Sequence, residues 1–235
     1  LSAVDRVRLD RMILTSIGPD APFHRPFTPR WAHAPQSSAG AALAGGGFSR
    51  PGVETRYLAA TTETALAEYQ GESPLLPPAT LVTFLVTAQN VVDFTGGYDP
   101  AHWTPIWAEA RCNWKGMAFL DGDEPPSWII GDIVRDVGHP GILYRSARHA
   151  GGNCLVVFSD VQLASGFVAR AHDPGNALPQ DDSSWKGNPG QAALSGPEHR
   201  LRSAGSTDSR HDSAAPPGVS RAAPARRSAA LHRGL

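Results

Sequence analysis

The spacing of apolar positions divides residues 1–186 into short elements of both kinds. Val4, Val7, Leu9, Met12, Ile13 and Ile17 recur at intervals that predict a helix over residues 4–17. Pro22, Pro26, Pro29 and Pro35 follow. Proline fixes φ and lacks a backbone donor, so an extended loop is expected there. Residues 37–47 are small and end in Gly45, Gly46 and Gly47, a run that signals flexibility or a close approach of backbone to another group. Residues 53–59 read as a strand. Thr61 or Thr62 then caps a helix reaching about Gln70, with Ala65, Leu66 and Tyr69 on one side and Pro74, Pro77 and Pro78 beyond its end. Strands are expected at 81–86, 91–94, 141–144, 154–158 and 167–171, and helices at 105–117 and 128–137. No internal repeat is visible. The expectation is an α+β fold: a single domain with a small mixed sheet and flanking helices.

Composition adds a boundary. From Gly187 to Leu235 there is no Phe, Trp or Tyr, and seven Arg stand against Glu198, Asp208 and Asp212. Such a stretch buries too little apolar surface to offset its ordering entropy. The chain therefore divides into an N-terminal helical segment (1–19), a core domain (20–186) and a disordered basic tail (187–235).

The 235 residues carry a net charge of -1, which excludes a polybasic nucleic-acid binder. No direct nucleic-acid contact is expected. No apolar run approaches the roughly 18–20 residues that cross a bilayer. The first eleven residues are charged and lack the apolar core of a leader peptide. Cys112 and Cys154 are too few for a disulfide scaffold or a four-cysteine zinc site. A soluble, cytoplasmic protein without a membrane partner is expected. All basic residues but Lys115 and Lys186 are arginine, which fits a GC-rich coding sequence better than a function.

Familiar catalytic signatures are missing: no P-loop, no G-x-S-x-G, no H-E-x-x-H and no paired C-x-x-C. The nine histidines, among them His24, His33, His139 and His149, show no metal-ligand spacing. No metal is expected. What stands out is an ordered set of segments. His24-Arg25 comes first, then Gly45-Gly46-Gly47-Phe48-Ser49, then Tyr57-Leu58-Ala59 and Thr64-Ala65-Leu66-Ala67-Glu68. Tyr144-Arg145-Ser146 follows, with Gly152-Asn153 before the strand at 154–158. In order and spacing this set resembles the RES domain family, over about residues 20–160.

The resemblance implies a fold similar to ADP-ribosyltransferase toxins and an enzyme that cleaves the nicotinamide–ribose bond of NAD, its substrate. It implies a toxin of a bacterial toxin–antitoxin system that passes ADP-ribose to water, phosphate or a target protein such as an enzyme of nucleotide synthesis. The implied partner is a cognate antitoxin with a helix-turn-helix region. Carried onto this chain, the family pattern makes Glu68 and Ser146 the catalytic pair, and Arg25, Tyr57 and Asn153 NAD-binding residues, to which Arg50 is added as a stand-in for a missing arginine. The chemistry suits these types. A planar guanidinium grips a pyrophosphate. A fixed carboxylate stabilises the positive charge that builds on a ribose losing its base. Tyr57 offers a flat face to a ring. Ser146 offers a hydroxyl to nicotinamide or a phosphate. The N-terminal turn beginning at Thr61 favours anions near the same place.

One departure matters. The family places an arginine where this chain has Gly47, and an asparagine where it has Ser49. Arg50 is the nearest substitute for the missing charge. The alternative reading is a catalytically weakened protein of the same fold that still pairs with an antitoxin.

Overall fold

The computed structural model describes residues 12–162 and 166–183. Six strands are described: β1 (Leu14–Phe27), β2 (Thr55–Ala59), β3 (Thr80–Phe94), β4 (Gly141–Arg145), β5 (Asn153–Phe158) and β6 (Val168–Ala171). Between them lie α1 (Ala39–Ala44), α2 (Thr62–Gln70), α3 (Pro126–Val137) and α4 (Ser159–Gln162). The strands run in the order β1-β2-β5-β4-β3-β6, and β1 also pairs with β3, so five of them close into a ring. All pairings are antiparallel except β3 with β4. This is the small mixed sheet with flanking helices that the hydrophobic pattern predicts. Among the described residues no helix is long and apolar enough to cross a membrane.

Period-two alternation sorts the core into two layers. On β5, Leu155 and Val157 turn to one face, where they meet Phe23, Phe27, Leu58, Val82, Phe84 and Val86. Val156 and Phe158 turn to the other, where they meet Phe94, Trp103, Trp107, Ile130, Val134 and Ile142. Each buried aliphatic contributes on the order of 1.5–3 kcal/mol, so a one-residue slip of β5 would lose both layers at once. Helix α3 covers the second face, and Trp103 and Trp107 stack beside it with ring centroids 4.4 Å apart. Gly131 lies where α3 meets the loop before β2: a Cβ there would stand 1.9 Å from the Phe48 carbonyl.

Four expectations change. The helix placed over residues 4–17 gives way at its described end to β1, which begins at Leu14. Pairing of Leu14 with Val92 and of Thr15 with Val91 satisfies the backbone there. Residues 1–11 lie outside the described residues, as does the tail from 184 onward. Pro22 and Pro26 also lie within β1, opposite Leu85 and Leu81. They are tolerated because β1 meets β2 only at His24 with Ala59, which leaves an open edge for a missing donor. The two strands expected at 81–86 and 91–94 are one strand, β3. Asn90 bridges them at φ 56°, a left-handed conformation that asparagine accepts. The helix expected at 105–117 is a 3-10 segment, Pro105–Glu109, and a separate turn, Trp114–Gly116. Buried Trp107 anchors the first, and the Asn113 side chain caps the second by accepting from the Gly116 amide at 3.2 Å.

Candidate active site

Helix α2 begins where the sequence places it. The Thr61 hydroxyl accepts from the Thr64 amide at 3.2 Å, the side-chain cap that a helix start requires. Thr64 and Ala65 are buried, so the helix is held on one side. Glu68, one turn after Thr64, is then presented to the ends of β4 and β5.

There Glu68 meets Ser146. The Ser146 hydroxyl donates to Glu68 Oε1 at 2.6 Å, across 78 residues of sequence. Ser146 directly follows β4 and is buried. Its Oγ accepts from the Arg148 amide at 3.0 Å and the His149 amide at 2.9 Å. A hydroxyl has one donor and two acceptor positions, so this one is fully used. Its one proton goes to Glu68. The turn itself is closed by Ser146 N donating to Gly152 O at 2.9 Å. It is tied to α2 by a 2.8 Å hydrogen bond between His149 Nδ1 and the Thr64 hydroxyl.

Cys154 and Tyr144 complete the surroundings of the carboxylate. They are paired opposite each other on β5 and β4. The Cys154 thiol donates to Glu68 Oε1 at 3.8 Å. Burial, with the nearby Glu68 charge, pushes that thiol up to about 12. Burial likewise raises the Tyr144 phenol well above its ordinary value, helped by Cys154, Tyr57 and Glu68. Both groups therefore stay protonated at neutral pH, and Glu68 is the carboxylate they surround.

Tyr57 lies opposite Val156 on β2 and shares this face. Its hydroxyl accepts from the Phe48 amide at 3.0 Å and pairs with Ser49 Oγ at 2.9 Å. The phenol thus holds the glycine loop, and burial raises its pKa. A Cβ on Gly46 would lie 2.4 Å from Tyr57 Oη, so the loop needs glycine at that position. Phe48 packs edge-on to Tyr144 with ring centroids 4.9 Å apart. Gly47 differs from Gly46: a Cβ there would meet only Trp114 Nε1, at 3.8 Å.

The other residues singled out from the sequence lie apart from the Glu68 contacts. Arg25 is on the face of β1 that carries Phe23 and Phe27. Its Nη1 donates to Ser37 O at 3.0 Å, and its guanidinium lies 4.7 Å from the centre of the Phe27 ring. Burial, together with the nearby Arg56 charge, brings its pKa down to about 10. Arg50 turns toward α3 and the loop before it. Nε donates to Asp132 Oδ2 at 2.9 Å, and Nη1 lies 2.7 Å from Glu124 Oε1. Two carboxylates hold it, so the substitute expected for the charge absent at Gly47 is already engaged. Asn153 opens β5, opposite Arg145; its Oδ1 is buried without a hydrogen-bond partner. Sequence reasoning missed Arg111, whose Nη2 donates to Ser146 O at 3.0 Å, and the His149–Thr64 tie. Neither has a local signal, since both depend on how two loops fold together. Among the described residues no group of three or more His, Cys, Asp or Glu is arranged to hold a metal ion.

Comparison with known proteins gives a family match and similar solved structures. The family model described as RES domain matches residues 22–178, more than half of the chain. A crystal structure of the M. tuberculosis MbcT-MbcA toxin-antitoxin complex is similar at 23% sequence identity and a TM-score of 0.47, over 70% of this chain and 87% of that chain. Comparison with curated proteins found no match.

Proposed function

The chain belongs to the RES domain family, and from that premise we propose that it is a toxin-type enzyme that cleaves the nicotinamide–ribose bond of NAD. The observation that carries the proposal is the 2.6 Å hydrogen bond fixing Glu68 to Ser146, with protonated Cys154 and Tyr144 around it. In this reading the bond between ribose C1′ and the nicotinamide nitrogen breaks, and its electron pair neutralises the pyridinium ring. Positive charge is left on the ribose, and Glu68 stabilises it. The Ser146 hydroxyl keeps the carboxylate aimed, so little reorganisation is needed when charge develops. Tyr57 supplies a flat apolar face for the leaving ring. Asn153 Oδ1, buried without a donor, is available to a substrate hydroxyl or amide. Arg25, with neutral partners only, is the interior residue proposed for the anionic bridge.

ADP-ribose then passes to water, to phosphate or to a protein side chain, such as one on an enzyme of nucleotide synthesis. The proposed partner is a cognate antitoxin, of helix-turn-helix type, that covers the site. The decisive experiment incubates purified protein with NAD, with and without phosphate and a cell extract. Nicotinamide release is expected, and the mass of the ribosylated product identifies the acceptor. Glu68→Gln should lower the rate at least 100-fold while leaving the circular dichroism spectrum intact. Release that persists in that variant would remove Glu68 from the chemistry. For Arg25→Ala, a raised KM with kcat kept marks a phosphate contact; an unchanged KM assigns the residue to core packing.

One observation favours a second reading. Gly47 supplies no charge, and Arg50 is held by Asp132 and Glu124. A protein that binds its antitoxin and NAD with little turnover fits this arrangement. Tight NAD binding without nicotinamide release would select it.

A further inference from the structure

We propose that Arg111 is the residue that grips the diphosphate bridge on the Glu68 side of the site. The inference rests on the NAD reading above and adds a residue to it. A substrate carrying two phosphates needs cationic donors near the carboxylate that works on its ribose. Three arginine side chains are tied to the Ser146 turn or lie beside it. Arg145 spends Nε on Thr95 O and Nη1 on Gly151 O, at 3.1 Å each. Arg148 pairs with Glu72 at 3.3 Å. Arg111 donates to Ser146 O through Nη2 alone, at 3.0 Å, and has no other protein partner among the described residues. A guanidinium has five N–H donors in a planar fork, so most of this fork is unspent. The residue is exposed, which leaves it open to a ligand.

Its place in the chain strengthens the assignment. Three residues on, Trp114 Nε1 lies 3.8 Å from where a Cβ of Gly47 would stand. The segment 111–114 thus spans from the Ser146 turn, which holds Glu68, to the glycine loop, which Tyr57 holds. Arg50, the nearest cation in sequence to Gly47, is held by Asp132 and Glu124. Arg111 lies against the turn that holds Glu68, anchored at one nitrogen and open at the others.

The test compares full-length wild type with Arg111→Ala and Arg111→Lys. KM and kcat are measured for NAD, the dissociation constant for ADP-ribose by calorimetry, and the inhibition constant for nicotinamide, which has no phosphate. A phosphate grip predicts that Arg111→Ala raises the NAD KM and the ADP-ribose constant about 10- to 100-fold. The nicotinamide constant should stay within twofold, and Arg111→Lys should recover part of the loss. Unchanged ADP-ribose binding overturns the proposal. So does a fall in kcat with KM kept, which would make Arg111 a support for Ser146 only. Wild type that binds neither NAD nor ADP-ribose overturns the NAD reading itself, and Arg111 with it. Wild type that cleaves NAD while Arg111→Ala matches it overturns Arg111 alone.

Discussion

At the scale of single residues, the site is organised around a hydroxyl with no capacity to spare. Ser146 Oγ accepts from two backbone amides and gives its proton to Glu68. Ser146→Ala removes the donor and leaves the carboxylate free to rotate. The expected result is a 10- to 100-fold lower kcat for nicotinamide release with KM little changed, read in steady-state kinetics. Gly47→Arg is expected to raise NAD turnover several-fold, because a Cβ there meets only Trp114 Nε1 at 3.8 Å. An unchanged rate would mean that another cation, Arg111 first, already fills that role. Cys154 gives a third check. Its thiol is pushed up to about 12 by burial and by Glu68, and the thiolate is the reactive form. Alkylation of native protein at pH 8, mapped by peptide mass, should modify half-buried Cys112 and spare Cys154 until the protein is unfolded.

At the scale of elements, the cap of α2 starts the helix that carries Glu68, and α3 packs against the glycine loop. Thr61→Ala deletes the acceptor for the Thr64 amide and is expected to cost about 1 kcal/mol, seen as a lower thermal midpoint. Gly131→Ala forces a Cβ against the Phe48 carbonyl, at 1.9 Å without movement. Either α3 or the glycine loop must shift, and a loss on the order of 1–3 kcal/mol is expected in urea unfolding. These elements were legible to different degrees. Helix α2 announces itself by Thr61, Ala65 and the prolines beyond its end. Helix α1 does not, because its run of alanine and glycine has no polar–apolar period. The segment from Pro105 to Met117 reads as one helix, yet Trp107 and the Asn113 cap break it in two.

At the scale of the whole molecule, packing buries titratable groups, Cys154, Tyr144, Tyr57 and Arg25 among them. The pH dependence of stability follows from their burial. Cys154 has a raised pKa in the folded state, so the folded protein holds that proton where the unfolded chain loses it. Its contribution is complete below the ordinary thiol value of 9 and is lost as pH rises toward about 12. Tyr144 and Tyr57 act with the same sign. Arg25 has the opposite sign: lowered to about 10, it penalises the folded state below that pH, and the penalty fades as pH rises. Urea midpoints at pH 7 and pH 10 should fall for the wild type, and fall less for Cys154→Ala. An equal drop in both would assign the alkaline loss to the tyrosines.

The sequence by itself determined what depends on neighbours along the chain. A short apolar run marked β5, a threonine cap and a proline stop marked α2, and the order of short segments marked the family. Periodicity and capping act over a few residues, so they can be read without the fold. Only the tertiary structure decided which distant groups meet. It brought Ser146 to within 2.6 Å of Glu68, turned Arg50 away to Asp132 and Glu124, and set Arg111 against the Ser146 turn. It also made β1 out of a stretch whose spacing suggests a helix, because pairing with β3 satisfies that backbone. Such contacts depend on the path of the loops between them, and no local spacing encodes that path.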